Sequence, residues 1–108
     1  MKHVCCLVLL ALASGFISPA YACSLPPAPS KIPNGAEASK EELIVAMQTL
    51  KRYNTDVHNY TKCIEFEANQ NRLTREEQAR RHNEAVDRLG EVAEKFNEQL
   101  RVFKGRTG

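Results

Sequence analysis

The chain has almost no net charge, no long hydrophobic run and none of the short motifs that mark catalytic or metal centres. Fifteen Lys and Arg stand against 13 Asp and Glu. That balance leaves no electrostatic case for nucleic acid or for an anionic membrane surface. The unbroken apolar run from Val4 to Ala13 falls far short of the ~20 residues that cross a bilayer. HExxH, CxxC, GxSxG and a phosphate-binding glycine loop are all absent, which removes the usual routes to zinc, nucleophilic catalysis and nucleotide binding. With 108 residues the chain is also too short for a Rossmann, TIM-barrel or hydrolase scaffold with its cleft, and makes one small domain. The expectation is a protein that is not an enzyme and carries no cofactor.

What is present begins with an address. Residues 1–22 read as a secretory signal peptide: Lys2 and His3 give a positive start, the apolar run follows, and Pro19 breaks it. Ala20-Tyr21-Ala22 then supplies the small-x-small pattern of a cleavage site, with Ala20 and Ala22 as the small residues. Cys23 comes next, where an acylated lipoprotein cysteine would stand. That signal wants an aliphatic residue three before the cysteine and a small one two before it. Ala20 and the bulky Tyr21 fit poorly, which favours a disulfide over lipidation. Cleavage would leave 86 residues, 14 Lys and Arg against 13 Asp and Glu, and two cysteines, Cys23 and Cys63. The expected location is periplasmic or secreted, with no membrane association after cleavage.

Residues 23–38 form a proline-rich extended arm. Pro26, Pro27, Pro29 and Pro33 forbid a helix and favour a polyproline II path, and Asn34-Gly35 predicts a turn. Residues 39–105 then predict an all-α antiparallel two-helix hairpin, with helices over about 40–70 and 75–104. Ser39 and Glu42 make a capping box. Leu43, Leu50, Val57 and Ile64 recur every seven residues, beside a companion stripe of Ala46, Tyr53, Tyr60 and Glu67. A second capping box, Thr74 to Glu77, opens the other helix. Its expected seam is His82, Leu89, Phe96 and Phe103 with Ala79, Val86, Ala93 and Leu100, a 3.5-residue period typical of coiled-coil packing. Glu76–Arg80, Glu77–Arg81, Glu84–Arg88 and Glu91–Lys95 are acid-before-base pairs one helical turn apart. Gly105 predicts the stop.

Two helices with one seam each make a thin core, so another element should cover them. The arm has the reach to do so. From Ser39 to Cys63 is 24 helical steps, about 36 Å at ~1.5 Å each. From Cys23 to Ser39 is 16 steps, roughly 50 Å at ~3.1 Å each. A Cys23–Cys63 disulfide would therefore pack the arm back along the first helix and pin it there. Intermolecular pairing or a free Cys63 thiol is the alternative.

Few residues invite chemistry. His58 and His82 lie 13 and 11 residues from the middle of the loop, at similar heights, and are the weak candidates for a metal pair. No metal-ligand motif surrounds them, and a seam histidine is ordinarily a hydrogen-bonded core residue, so no metal site is assigned. Tyr53 and Tyr60 share a stripe and read as seam packing with each hydroxyl at the rim. Asn83, Gly90 and Asn97 make a small polar stripe that could let the arm approach.

On these residues the chain resembles a family of small exported helical proteins of Gram-negative bacteria. The likeness lies in Ala22-Cys23-Ser24-Leu25-Pro26-Pro27-Ala28-Pro29, in MQTLKRYNTDVHNYTKCIEFE, and in HNEAVDRL and VAEKFNEQLRVFK. It covers the chain after residue 22 and implies no activity, because none is assigned to that family. Leu73-Thr74-Arg75-Glu76-Glu77-Gln78 is also similar to the LTxxQ motif of Spy- and CpxP-type periplasmic chaperones. There the glutamine would fall at position 77, which is Glu here. The expected role is an envelope structural or interaction protein. A periplasmic chaperone or stress adaptor is the alternative, and metal or small-ligand binding the second. A protein partner or a homodimer is expected, with the pairing of two hairpins into a four-helix bundle left undecided.

Overall fold

A computed structural model of the chain describes residues 23–107. The signal-peptide reading, with Ala20 and Ala22, lies outside the described residues. Two helices pack against each other: α1, Lys40–Asn69, and α2, Arg75–Thr107. Among the described residues there are no strands. The all-α hairpin with a returning arm is thus the observed architecture.

Each helix starts as its capping chemistry requires. The Ser39 hydroxyl accepts from the Glu42 N–H at 3.1 Å, and the Glu42 carboxylate accepts from the Ser39 N–H at 3.1 Å, completing the capping box. Thr74 makes only half of such a box. Its hydroxyl accepts from the Glu77 N–H at 3.1 Å, but the Glu77 carboxylate is taken up by the Arg80 and Arg81 guanidinium groups. A charge-assisted pair outcompetes the return bond to a neutral N–H.

Residues 70–74 reverse the chain. Asn71 takes the left-handed conformation, φ 57°, which asparagine tolerates better than most residues. The Asn71 and Arg72 N–H groups donate to the carbonyls of Ala68 and Glu67, which satisfies the end of α1. Guanidinium groups fasten the corner: Arg75 donates to Asn69 at 2.7 Å, and Arg72 pairs with Glu67 at 3.0 Å.

α2 runs past the expected stop to Thr107. Gly105 does not end it, because the last turn has partners of its own. Arg106 donates to the Ala38 carbonyl, tying the end of α2 to the start of α1. The Thr107 hydroxyl donates to the Phe103 carbonyl at 2.9 Å. Glycine weakens a helix by only ~1 kcal/mol, which such contacts offset.

The α1 seam is as expected: Leu43, Tyr53, Val57, Tyr60 and Ile64 are buried, with Leu50 half-buried. The α2 seam is rotated. Leu89, Phe96 and Phe103 do face α1, but their buried companions are Ala85 and Val92 rather than Val86 and Ala93. His82 and Ala79 are exposed, and so is Val86. Fully buried Ala85 packs in one cluster with the α1 tyrosines and Val92. A small side chain at that position leaves room for those rings.

The arm accounts for the rotation. Cys23 is joined to Cys63, with Cα atoms 5.6 Å apart. Leu25 and Ile32 then pack onto the cluster of Tyr53, Val57, Tyr60, Ile64, Ala85 and Val92. Asn34 closes the arm: its side-chain oxygen accepts from the Ala36 N–H at 3.0 Å, and its carbonyl accepts from Ala38 at 2.8 Å. Gly35 presses on α2, its N–H donating to the Gln99 side-chain oxygen at 2.8 Å. A Cβ on Gly35 would lie 2.0 Å from the Gln99 carbonyl oxygen. The arm bonds to α2 at Gln99 and packs on the cluster that includes Val92, not at the Asn83, Gly90 and Asn97 stripe. Space beside Gly90 is open.

Candidate interaction face

The hairpin is a two-helix layer with two broad faces. One carries the arm. The other presents Leu50, Lys51, Asn54 and Thr55 of α1 level with Val86, Leu89, Gly90 and Ala93 of α2, around a shallow groove of about 670 Å³. The rotation of α2 has created this face. Val86 and Ala93, expected to be covered by α1, border the groove, and Val86 is 44% exposed.

On α1, apolar exposure on this side is concentrated away from the loop. Ile44 and Met47 are 40% and 39% exposed. At about 100° per residue they share a side of α1 with Leu50 and Lys51. Leu100, one heptad after Ala93, turns back to pack against the cluster of Ala38, Leu43 and Phe96. Toward the loop the same side turns polar: exposed His58 stands seven residues after Lys51, and exposed His82 seven before Leu89.

Charges divide along the same axis. Every ion pair among the described residues lies in the loop half: Arg72–Glu67, Arg80–Glu77, Arg80–Glu84, Arg81–Glu77 and Arg88–Glu84. Of the pairs expected from spacing, Glu77–Arg81 and Glu84–Arg88 form. Arg80 pairs with Glu77 and Glu84 instead of Glu76, and Glu91–Lys95 does not form. Two guanidinium groups on one carboxylate pull the Glu77 pKa down to about 2, and the Glu77 carboxylate in turn pushes that of Arg80 upward. Beside the groove, Lys51, Asp87 and Glu94 have no ion-pair partner among the described residues.

Other candidates separate. Cys23 and Cys63 form the bridge and hold no free thiol. His58 and His82 are both on the surface, and among the described residues no three His, Cys, Asp or Glu side chains cluster as a metal site. Tyr53 is buried rather than at the rim, and its hydroxyl has no hydrogen-bond partner. Burial raises its pKa, against a smaller opposing pull from Arg88. No described helix is long and apolar enough to cross a membrane.

No protein-family model matches the chain, and no curated protein or solved structure is similar to it.

Proposed function

We propose that the chain is an exported, non-enzymatic interaction protein of the bacterial envelope, which binds another protein through the face opposite the arm. The observation that carries this is the asymmetry of the layer. One face is partly covered by a stapled arm, beside which Val45 stays exposed, while the other has no covering segment among the described residues and leaves Val86 and Met47 in water beside charges without an ion-pair partner. A monomer gains nothing from such a face, and contiguous apolar exposure rimmed by charge is the usual mark of a docking surface. Export is supported by the signal-like residues 1–22 and by a disulfide, which persists in oxidising compartments.

A photo-crosslinking amino acid at Val86, compared with one at exposed Arg52 outside the groove, tests the reading in producing cells. Adducts at position 86 and not at 52 are expected. Equal labelling, or none at 86, would refute it.

The chaperone reading draws on the same apolar face, since such a surface can also hold unfolding clients. It predicts that the purified protein suppresses aggregation of an unrelated client, and that Val86→Glu abolishes the effect. The LTxxQ-like segment adds no support, because Thr74 there is occupied in capping α2.

A further inference from the structure

We infer that the partner on the open face is a second copy of this chain, related by a two-fold axis parallel to the helices, so that α1 of each copy lies on α2 of the other. The inference rests on the interaction reading above and names its partner.

Size is the first argument. With 30 residues in α1 at ~1.5 Å each and two helices ~10 Å wide, the face measures about 900 Å². Each side of a standard stable interface contributes ~800 Å². The face is large enough for a dimer and, being flat and helical, suits another helical layer.

Register is the second. Leu50 of α1 and Val86, Leu89 and Ala93 of α2 line one groove, and on α1 the exposed Ile44 and Met47 extend it away from the loop. A two-fold axis along the helices keeps both loops at one end and lays groove on groove. An axis across the helices at the level of the groove would instead stack α1 on α1 and bring Lys51 of one copy toward Lys51 of the other, like charge on like.

Charge is the third. In the parallel-axis arrangement the outer edge of α1 meets the outer edge of the partner's α2. Lys51 sits on the first edge, level with Gly90. Asp87 and Glu94 flank that level on the second edge, about one turn to either side. None of the three has an ion-pair partner among the described residues, so the edges are complementary between copies. Gly90, beside which an added Cβ would meet nothing within 4 Å, lets the two edges approach closely.

Sedimentation equilibrium of the disulfide-bonded protein purified from producing cells tests this. The expected mass is twice that of the chain. Val86→Glu should give monomer where the wild type is dimer, with unchanged helical circular dichroism because residue 86 is outside the core. Lys51→Glu should weaken the dimer about tenfold, from two symmetric contacts worth roughly threefold each. Adding Glu94→Lys should restore it. A wild type that stays monomeric at every concentration, or a Val86→Glu dimer of undiminished affinity, would overturn the inference. If the protein is monomeric yet cross-links through position 86 to a different protein, the interaction reading stands and the second copy falls. Absence of any adduct at 86 removes both.

Discussion

Removing the disulfide should cost this protein a large part of its stability, and the structure says how much and why. Residues 24–33 make no hydrogen bond to either helix among the described contacts. Their hold is the packing of half-buried Leu25 and Ile32 and the covalent link at Cys23. The bridge joins residues 40 apart in sequence, and the loop-closure entropy it removes from the unfolded chain is worth ~4 kcal/mol. Small single-core domains hold only ~3–5 kcal/mol without such help. At this size each kcal/mol moves the melting temperature by ~4–8 °C, so Cys23→Ser/Cys63→Ser should melt about 15–30 °C below the wild type.

The measurement is a far-ultraviolet circular dichroism melt of both proteins at one protein concentration, since any self-association would otherwise shift the midpoint. Trypsin gives an independent reading of the arm. Lys31 is exposed but lies on a tethered segment, so cleavage after it should be slow in the wild type and fast in the double serine variant. A melting difference below about 5 °C, together with an uncleaved Lys31, would show that the arm stays docked without its bridge. The stapling argument would then be wrong.

Three further substitutions follow from single contacts. Gly35→Ala drives a methyl into the Gln99 main chain, where nothing flexible can yield, and should destabilise by about 1–3 kcal/mol in chemical unfolding. Tyr53→Phe deletes a buried hydroxyl that has no partner, and should be neutral or stabilising by up to ~1 kcal/mol. Because burial holds the Tyr53 pKa above its ordinary 10.0, the folded state keeps that proton longer than the unfolded state. Stability should therefore fall as pH rises above about 10, and fall less in Tyr53→Phe. Glu77 behaves in the opposite sense: its carboxylate favours the fold above its ordinary 4.5, and that contribution is lost as pH falls toward about 2. Glu77→Gln should flatten the acid limb of a melting-temperature profile over that window.

The α1 seam was legible because a single set of apolar side chains recurs at the right period. α2 carries two overlapping sets that share Leu89, Phe96 and Phe103, and apolarity alone favours the one with Val86, Ala93 and Leu100. The structure takes Ala85 and Val92 in place of Val86 and Ala93, keeps Leu100 against the cluster of Ala38, Leu43 and Phe96, and turns Gln99 to the arm. Gln99 looks wrong for a seam in sequence, but its amide oxygen receives the Gly35 N–H. Only the folded arm creates that donor, so no periodicity argument could have found it. The same pattern hides the open face, since it places Val86 and Ala93 in the interior. The bridge was legible for the opposite reason: the reach of an extended arm and the rise of a helix are fixed by covalent geometry. The end of α2 was not, because a glycine is a weak signal beside a guanidinium that reaches Ala38 across the hairpin.

The two faces differ in how their cover can be held. An arm with four prolines in its 11 residues from Cys23 to Pro33 has four fewer N–H donors than an ordinary segment, and among the described residues it makes no hydrogen bond to either helix and covers its face by a few side chains. Such a cover is too weak to persist unless it is joined covalently, and the chain supplies that join at Cys63. The opposite face has no segment of the described chain within reach and no cysteine, but it has what a helical partner needs: a heptad stripe, a flat surface and unpaired charges at matched heights. Rotating α2 by one seam position serves both faces at once. It brings Gln99 to the arm and turns Val86 and Ala93 outward. The polar residue that seemed out of place in the interior and the apolar residues that seem out of place on the surface are two consequences of one choice.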